Sequence, residues 1–266
     1  MRSAQFSVVV SLVVAPAITF VIVGVGGIVL DLLGIPWNLA SFIVTSLLAV
    51  GLAYGLGKLA DPGQVRRADV GISPATARRL AWSFGLALAF LILPILWIAD
   101  PVTPSTQADP IFHYNGVNAV VETGSASMIT AMAPQYGIQT VNAVYPTVWH
   151  GLLALFGSGS IMAANHAFAY VVIPAMSLVS LVFFVRVALP AHPTAWIASP
   201  IVSLALPYFP NFLTVSRGFW PNSLALSVVP AILGLFVLIA RYASAVRLKE
   251  LGLTSLVALT ALAGIG

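Results

Sequence analysis

Long stretches of this chain carry no Asp, Glu, Lys or Arg: Ser3 to Leu30, Leu32 to Gly57, Leu80 to Ala99, Val187 to Ser216 and Gly218 to Ala240. A bilayer core about 30 Å thick is crossed by roughly 20 apolar residues rising 1.5 Å each, so every one of these stretches can span as a helix. Helices are required because lipid offers the backbone no hydrogen-bond partner. With 60% hydrophobic and 7% charged residues, far from the roughly 25% charged of a soluble domain, the chain reads as all-α, a polytopic transmembrane bundle whose first partner is the lipid bilayer.

The spacing predicts spans at about 6–30, 37–57, 80–99, 161–185, 194–210 and 221–240, with a seventh starting near Leu251. The apolar run after Arg2 is too long for a secretory signal, which predicts an uncleaved first helix. With Arg2 in the cytoplasm and the spans alternating, every Lys and Arg except Arg217 falls on the inner side, as the positive-inside rule prefers. The uncharged stretch from Thr123 to Val185 then holds one crossing. Tyr145 to Phe156, too short to span, reads as a helix lying at the outer interface or dipping into it. Trp37, Trp97, Trp149 and Trp220 are placed near the outer face, and Trp82 and Trp196 near the inner one, as interfacial belts.

This divides the chain into an N-terminal helix pair (1–59), an Arg-rich cytoplasmic loop with a surface helix (60–79), and a transmembrane region (80–266) carrying a large outer loop over 100–160. The ending Ala263-Gly264-Ile265-Gly266 closes the last span without an anchor, which suggests the N-terminal part of a longer protein. Cysteine is absent, so disulfides, thiolate metal sites and a Cys nucleophile are excluded. The net charge of +4 reflects retained cytoplasmic cations, and no nucleic-acid partner is read from it. Scarce Lys beside Arg, with abundant Ala, Val and Gly, hints at a GC-rich bacterium and a multi-pass protein of its plasma membrane.

The outer loop holds most polar residues that are not inner anchors. Asp109 to Gly124 reads as a helix, with Asp109 as N-cap, Pro110 at its first position and Gly124 as its stop. Helical spacing sets Asp109 and His113 one turn apart, while Asn115, Asn118 and Glu122 line another face. Asp109 is either a cap or a general base; with His113 it also offers two ligands for a divalent cation, without an identifiable third. His113, Glu122 and His150 are either interfacial polar groups or substrate contacts. His166, near the outer end of its span, either bonds a backbone carbonyl or touches substrate. Arg217, among aromatics at headgroup height, either clamps a lipid phosphate or anchors a helix end.

At these residues the chain resembles the GT-C class of lipid-phosphosugar-dependent glycosyltransferases, polytopic proteins with an Asp in the first large outer loop followed by short interfacial helices. Ala108 to Asn115, Glu122-Thr123-Gly124 and Tyr145 to His150 are also similar to an uncharacterised family of actinobacterial multi-pass proteins. The resemblance covers roughly residues 80–266; the N-terminal helix pair departs from the usual pattern, in which that loop follows the first span. It implies transfer of a sugar from a polyprenyl-phosphate donor to a cell-envelope acceptor on the outer side, with Asp109 as the base and Arg217, or a cation near Asp109 and His113, stabilising the leaving phosphate. A transporter or flippase, and a non-catalytic membrane subunit, are the competing readings. No Asp, Glu, Lys or Arg lies within the predicted spans, which weakens the transporter; Pro16, Pro94, Pro174 and Pro200 keep it open.

Overall fold

A computed structural model describes residues 2–59, 72–98, 107–137, 140–157, 159, 161–206 and 208–242. These residues form a polytopic helical bundle: α1 (Arg2–Leu32), α2 (Leu39–Leu59), α3 (Pro74–Ile98), α4 (Ala108–Thr123), α5 (Val148–Ala154), α6 (Ile161–Ala167), α7 (Ile173–Ala188), α8 (Pro193–Ser203) and α9 (Trp220–Tyr242). A π-helical turn, Phe168–Val172, joins α6 to α7. Five helices among the described residues are long and apolar enough to cross a membrane: Val13–Leu32, Pro74–Trp97, Ile161–Ala188, Pro193–Ser216 and Trp220–Leu238. In α2 a shorter apolar stretch, Leu39–Gly55, accompanies them. The seventh predicted span, and most of the predicted cytoplasmic loop, lie outside the described residues.

Local chemistry accounts for the helix ends. Gly34, at φ 66°, closes the turn after α1. Asn38 and Ser41 then cap α2 reciprocally, the Ser41 N–H donating to Asn38 Oδ1 (3.0 Å) and the Asn38 N–H to Ser41 Oγ (2.9 Å). Ser73 caps α3 by accepting the Thr76 N–H (3.1 Å), with Pro74 at the first position, where its missing N–H costs nothing. Arg78 and Arg79 therefore belong to the first turns of the α3 span itself, not to the preceding loop with its surface helix.

Two corrections concern the spans. The span that begins with α8 runs to Ser216, past the predicted end at 210, and it is broken: α8 stops at Ser203, and Phe209 is non-helical within the following π-helical turn, Tyr208–Ser216. Pro200 and Pro210 interrupt the regular ladder there. The first crossing carries Asp31 at its end, so the spans are not wholly free of charged residues.

The bundle packs through small residues. A side chain on Gly234 of α9 would meet the Phe183 ring of α7 at 2.7 Å, so glycine sets that close approach. Ala87, Leu91 and Leu178 seat α3 on α7. Of the tryptophans predicted to form interfacial belts, Trp82 and Trp97 are exposed at 68% and 90%, whereas Trp37, Trp149, Trp196 and Trp220 are buried in protein. Arg186, at the end of α7, lies over the Trp196 ring at 5.5 Å, a cation–π contact that takes Trp196 away from the surface.

Candidate functional site

The helices α4 and α5, between α3 and α6, sink into the bundle. A side chain on Gly151 of α5 would meet Val23 of α1 at 2.9 Å and Ala126 at 3.1 Å. Val23 lies roughly 13 Å along the α1 axis from Leu32, so α5, only seven residues long, dips well below the helix end. Trp37 holds it there: its indole N–H donates to the Gly151 carbonyl (2.9 Å), and its backbone N–H donates to Gly124 (2.6 Å) at the end of α4. Gly124 is the predicted helix stop, in the left-handed conformation at φ 66°.

The helix start differs from expectation. Gln107 occupies the N-cap position of α4, and the Ile111 N–H bonds the Gln107 carbonyl at 3.1 Å. Asp109 is thus already helical, and the cap explanation for it falls. A first-turn carboxylate still suits the helix dipole, but Asp109 is exposed, whereas His113, one turn on, is buried. Asn115, Asn118 and Glu122 form an exposed face, as the spacing predicts. Glu122 lies roughly 20 Å along the helix from Asp109, at the far end of α4; one small ligand does not touch both.

His113 and His150 meet inside. Their Nδ1 and Nε2 atoms are 3.2 Å apart, with one imidazole donating and the other accepting, and His150 is fully buried. Gly116 makes room for this contact, since a side chain there would come within 2.6 Å of the His150 ring and 2.7 Å of Met132. Burial pushes the His113 pKa down to about 4. Burial and the neighbouring His113 push His150 down to about 3, against the opposing influence of the Pro146 carbonyl. Both rings are therefore neutral near pH 7. The His113 ring also contacts Trp220 (5.9 Å), which stacks on Trp149 at 6.0 Å and 26°. His166 pairs with the Tyr114 hydroxyl at 3.2 Å and stacks on Tyr170. Neither sequence alternative for His166 had named that partner.

The two proposed metal ligands therefore part company, Asp109 outside and His113 turned inward to His150. Among the described residues no three His, Asp or Glu side chains gather as a metal site requires.

The segments that carry Arg217 and Asp109 touch through a glycine and a proline. Gly218, at φ 67°, packs on Pro110 so closely that any side chain would overlap the proline ring. The exposed Arg217 and the exposed Asp109 are the immediate sequence neighbours of these two residues. Arg217 lies against the Phe212 ring at 5.4 Å. The Tyr145 phenol pKa is raised by burial, by Tyr136 and by the Asp109 carboxylate.

Sequence reasoning missed Tyr145, which feels the Asp109 carboxylate, and Tyr136, which packs on Phe112. It also missed Asp31, which accepts the Thr130 hydroxyl at 2.9 Å and ties the loop to α1. Aromatic density after Pro134 was a signal for the tyrosines; nothing local marks a pair 99 residues apart.

The chain belongs to a family of unknown function, DUF6541, whose family model matches residues 1–266. No curated protein and no solved structure matches it.

Proposed function

We propose that this chain is a membrane glycosyltransferase of the GT-C kind, moving a sugar from a polyprenyl-phosphate donor to an acceptor hydroxyl on the outer face of a bacterial plasma membrane. The observation that supports this is the packing of Gly218 on Pro110, which joins the segment bearing the exposed Arg217 to the helix start bearing the exposed Asp109.

The chemistry follows from those two charges. Asp109 takes the proton of the acceptor hydroxyl as its oxygen attacks the anomeric carbon. The bond from that carbon to the phosphate oxygen breaks from the opposite face, so the anomeric centre inverts and polyprenyl phosphate leaves with the electron pair. A phosphate leaving group needs its charge balanced more than it needs a proton, and the planar fork of Arg217 suits that role. His113 and His150, neutral and bonded to each other, support the α4–α5 scaffold beneath; Glu122 has no part in the bond exchange.

A transporter is the second reading, favoured by the break between α8 and the turn after it, since transporters build their sites at discontinuous spans. One experiment separates them. Envelope glycans are compared in a strain lacking the gene, complemented with wild type or Asp109→Asn at equal membrane abundance. Loss of a sugar that only wild type restores is expected, with transfer falling roughly 100-fold or more. Equal restoration by both would remove Asp109 from the chemistry and with it this reading.

A further inference from the structure

Beyond the reacting groups, an aromatic cluster borders Asp109. Phe112 is half-buried, with the Tyr145 ring 5.1 Å away at 61° and the Tyr136 ring 6.4 Å away at 74°. These edge contacts leave the rings fanned out, not stacked on one another. Tyr136 is 53% exposed. Its 3-10 turn, Ala133–Tyr136, lies against α4 through the Gln135 amide, which, with its oxygen and nitrogen exchanged, donates to the Phe112 carbonyl (3.2 Å) and accepts from the Gly116 N–H (3.0 Å). The platform is therefore fixed to the same helix turn that presents Asp109.

We infer that Tyr136, Phe112 and Tyr145 form a carbohydrate-binding subsite beside Asp109, in which a sugar ring lies against Tyr136. A sugar presents an apolar C–H face, which the electron-rich face of an aromatic ring attracts, and a rim of hydroxyls. The Tyr136 and Tyr145 phenols can bond that rim, and a rim hydroxyl then reaches the Asp109 carboxylate. An isoprenoid tail fits less well, because it would cover two phenols and a carboxylate without offering any of them a hydrogen bond. That the bound sugar is the acceptor rests on the transferase reading; that a sugar binds here does not.

The full chain in lipid nanodiscs is mixed with methyl mannoside, methyl galactoside and methyl arabinofuranoside, and separately with farnesol, and saturation-transfer NMR reads which ligand protons touch protein. Saturation of the ring C–H protons of at least one glycoside is expected. Tyr136→Ala should weaken that binding roughly three- to ten-fold, while Tyr136→Phe keeps most of it. Asp109→Asn, which keeps a hydrogen-bonding oxygen, should weaken binding less than Tyr136→Ala does while it abolishes transfer, so equal glycan restoration by Asp109→Asn with Tyr136-dependent binding intact discards the transferase alone. The subsite is overturned if no glycoside is saturated, if only farnesol is, or if Tyr136→Ala binds as wild type does.

Discussion

The helix α2 and the α4–α5 pair are held in place in opposite ways. The described side chains of α2 are exposed or half-buried along its length, with Leu47, Leu48 and Leu52 each about two-thirds exposed. Lipid solvates that surface as well as protein would, so the helix needs no partner beyond α1. The α4–α5 pair instead buries two imidazoles, the Tyr114 phenol and the Trp149 indole, polar groups that cost free energy in an apolar setting unless they are hydrogen-bonded. Its position is therefore specified by individual contacts, whereas that of α2 follows from hydropathy and length.

That contrast can be broken most forcefully at glycine. Gly116→Val pushes a side chain into His150 and Met132, whereas Gly51 of α2 has open space around it. Gly116→Val is expected to cost about 3 kcal/mol or more, and Gly51→Val less than about 0.5 kcal/mol. Thermal unfolding of both variants in one detergent measures the difference; equal melting temperatures would mean that α4 does not rest on α5.

Acid should loosen the same region by a smaller amount. The folded-state pKa values of His113 and His150, about 4 and about 3, lie below the 6.5 of the free side chain. The opened state binds protons first, and stability present above pH 6.5 is lost as pH falls from there toward 4 and 3. At pH 5 the loss is on the order of 2 kcal/mol per imidazole. Hydrogen exchange should show faster opening of α4 and α5 at pH 5 than at pH 7, with α2 unchanged. His150→Phe should flatten that dependence, and an unaltered dependence would place the titrating groups elsewhere.

The smallest effect sharpens the comparison at one bond. Trp37→Phe keeps an aromatic ring between α1 and α5 but removes the indole N–H that bonds Gly151, leaving a buried carbonyl without that donor. A loss of about 1 kcal/mol is expected. Leu47→Ala on the lipid face of α2 should cost less, and chemical denaturation of the two variants compares them.

The exposed α4 face was legible because Asn115, Asn118 and Glu122 recur at helical spacing, and Gly124 was legible as a stop because only a residue without a side chain readily takes its φ. Asp109 was misplaced as a cap by two positions. An Asp before a proline looks the same whether the helix begins at that residue or just ahead of it, and the backbone bond from Ile111 to Gln107 decided the matter. The buried tryptophans were misread for a related reason, since an indole suits a headgroup belt and a protein interior alike.

What the sequence by itself determined is the solvent: long uncharged runs admit only helices in lipid, and their lengths set where those helices lie. Tertiary structure alone decided which polar groups meet. His113 finds His150, Thr130 finds Asp31, and Gly218 seats the segment before α9 on Pro110 of α4. Hydropathy is a sum along the chain and carries the first kind of information. Pairing between residues tens of positions apart depends on how closely helices approach, and that distance is set by the small residues where they touch.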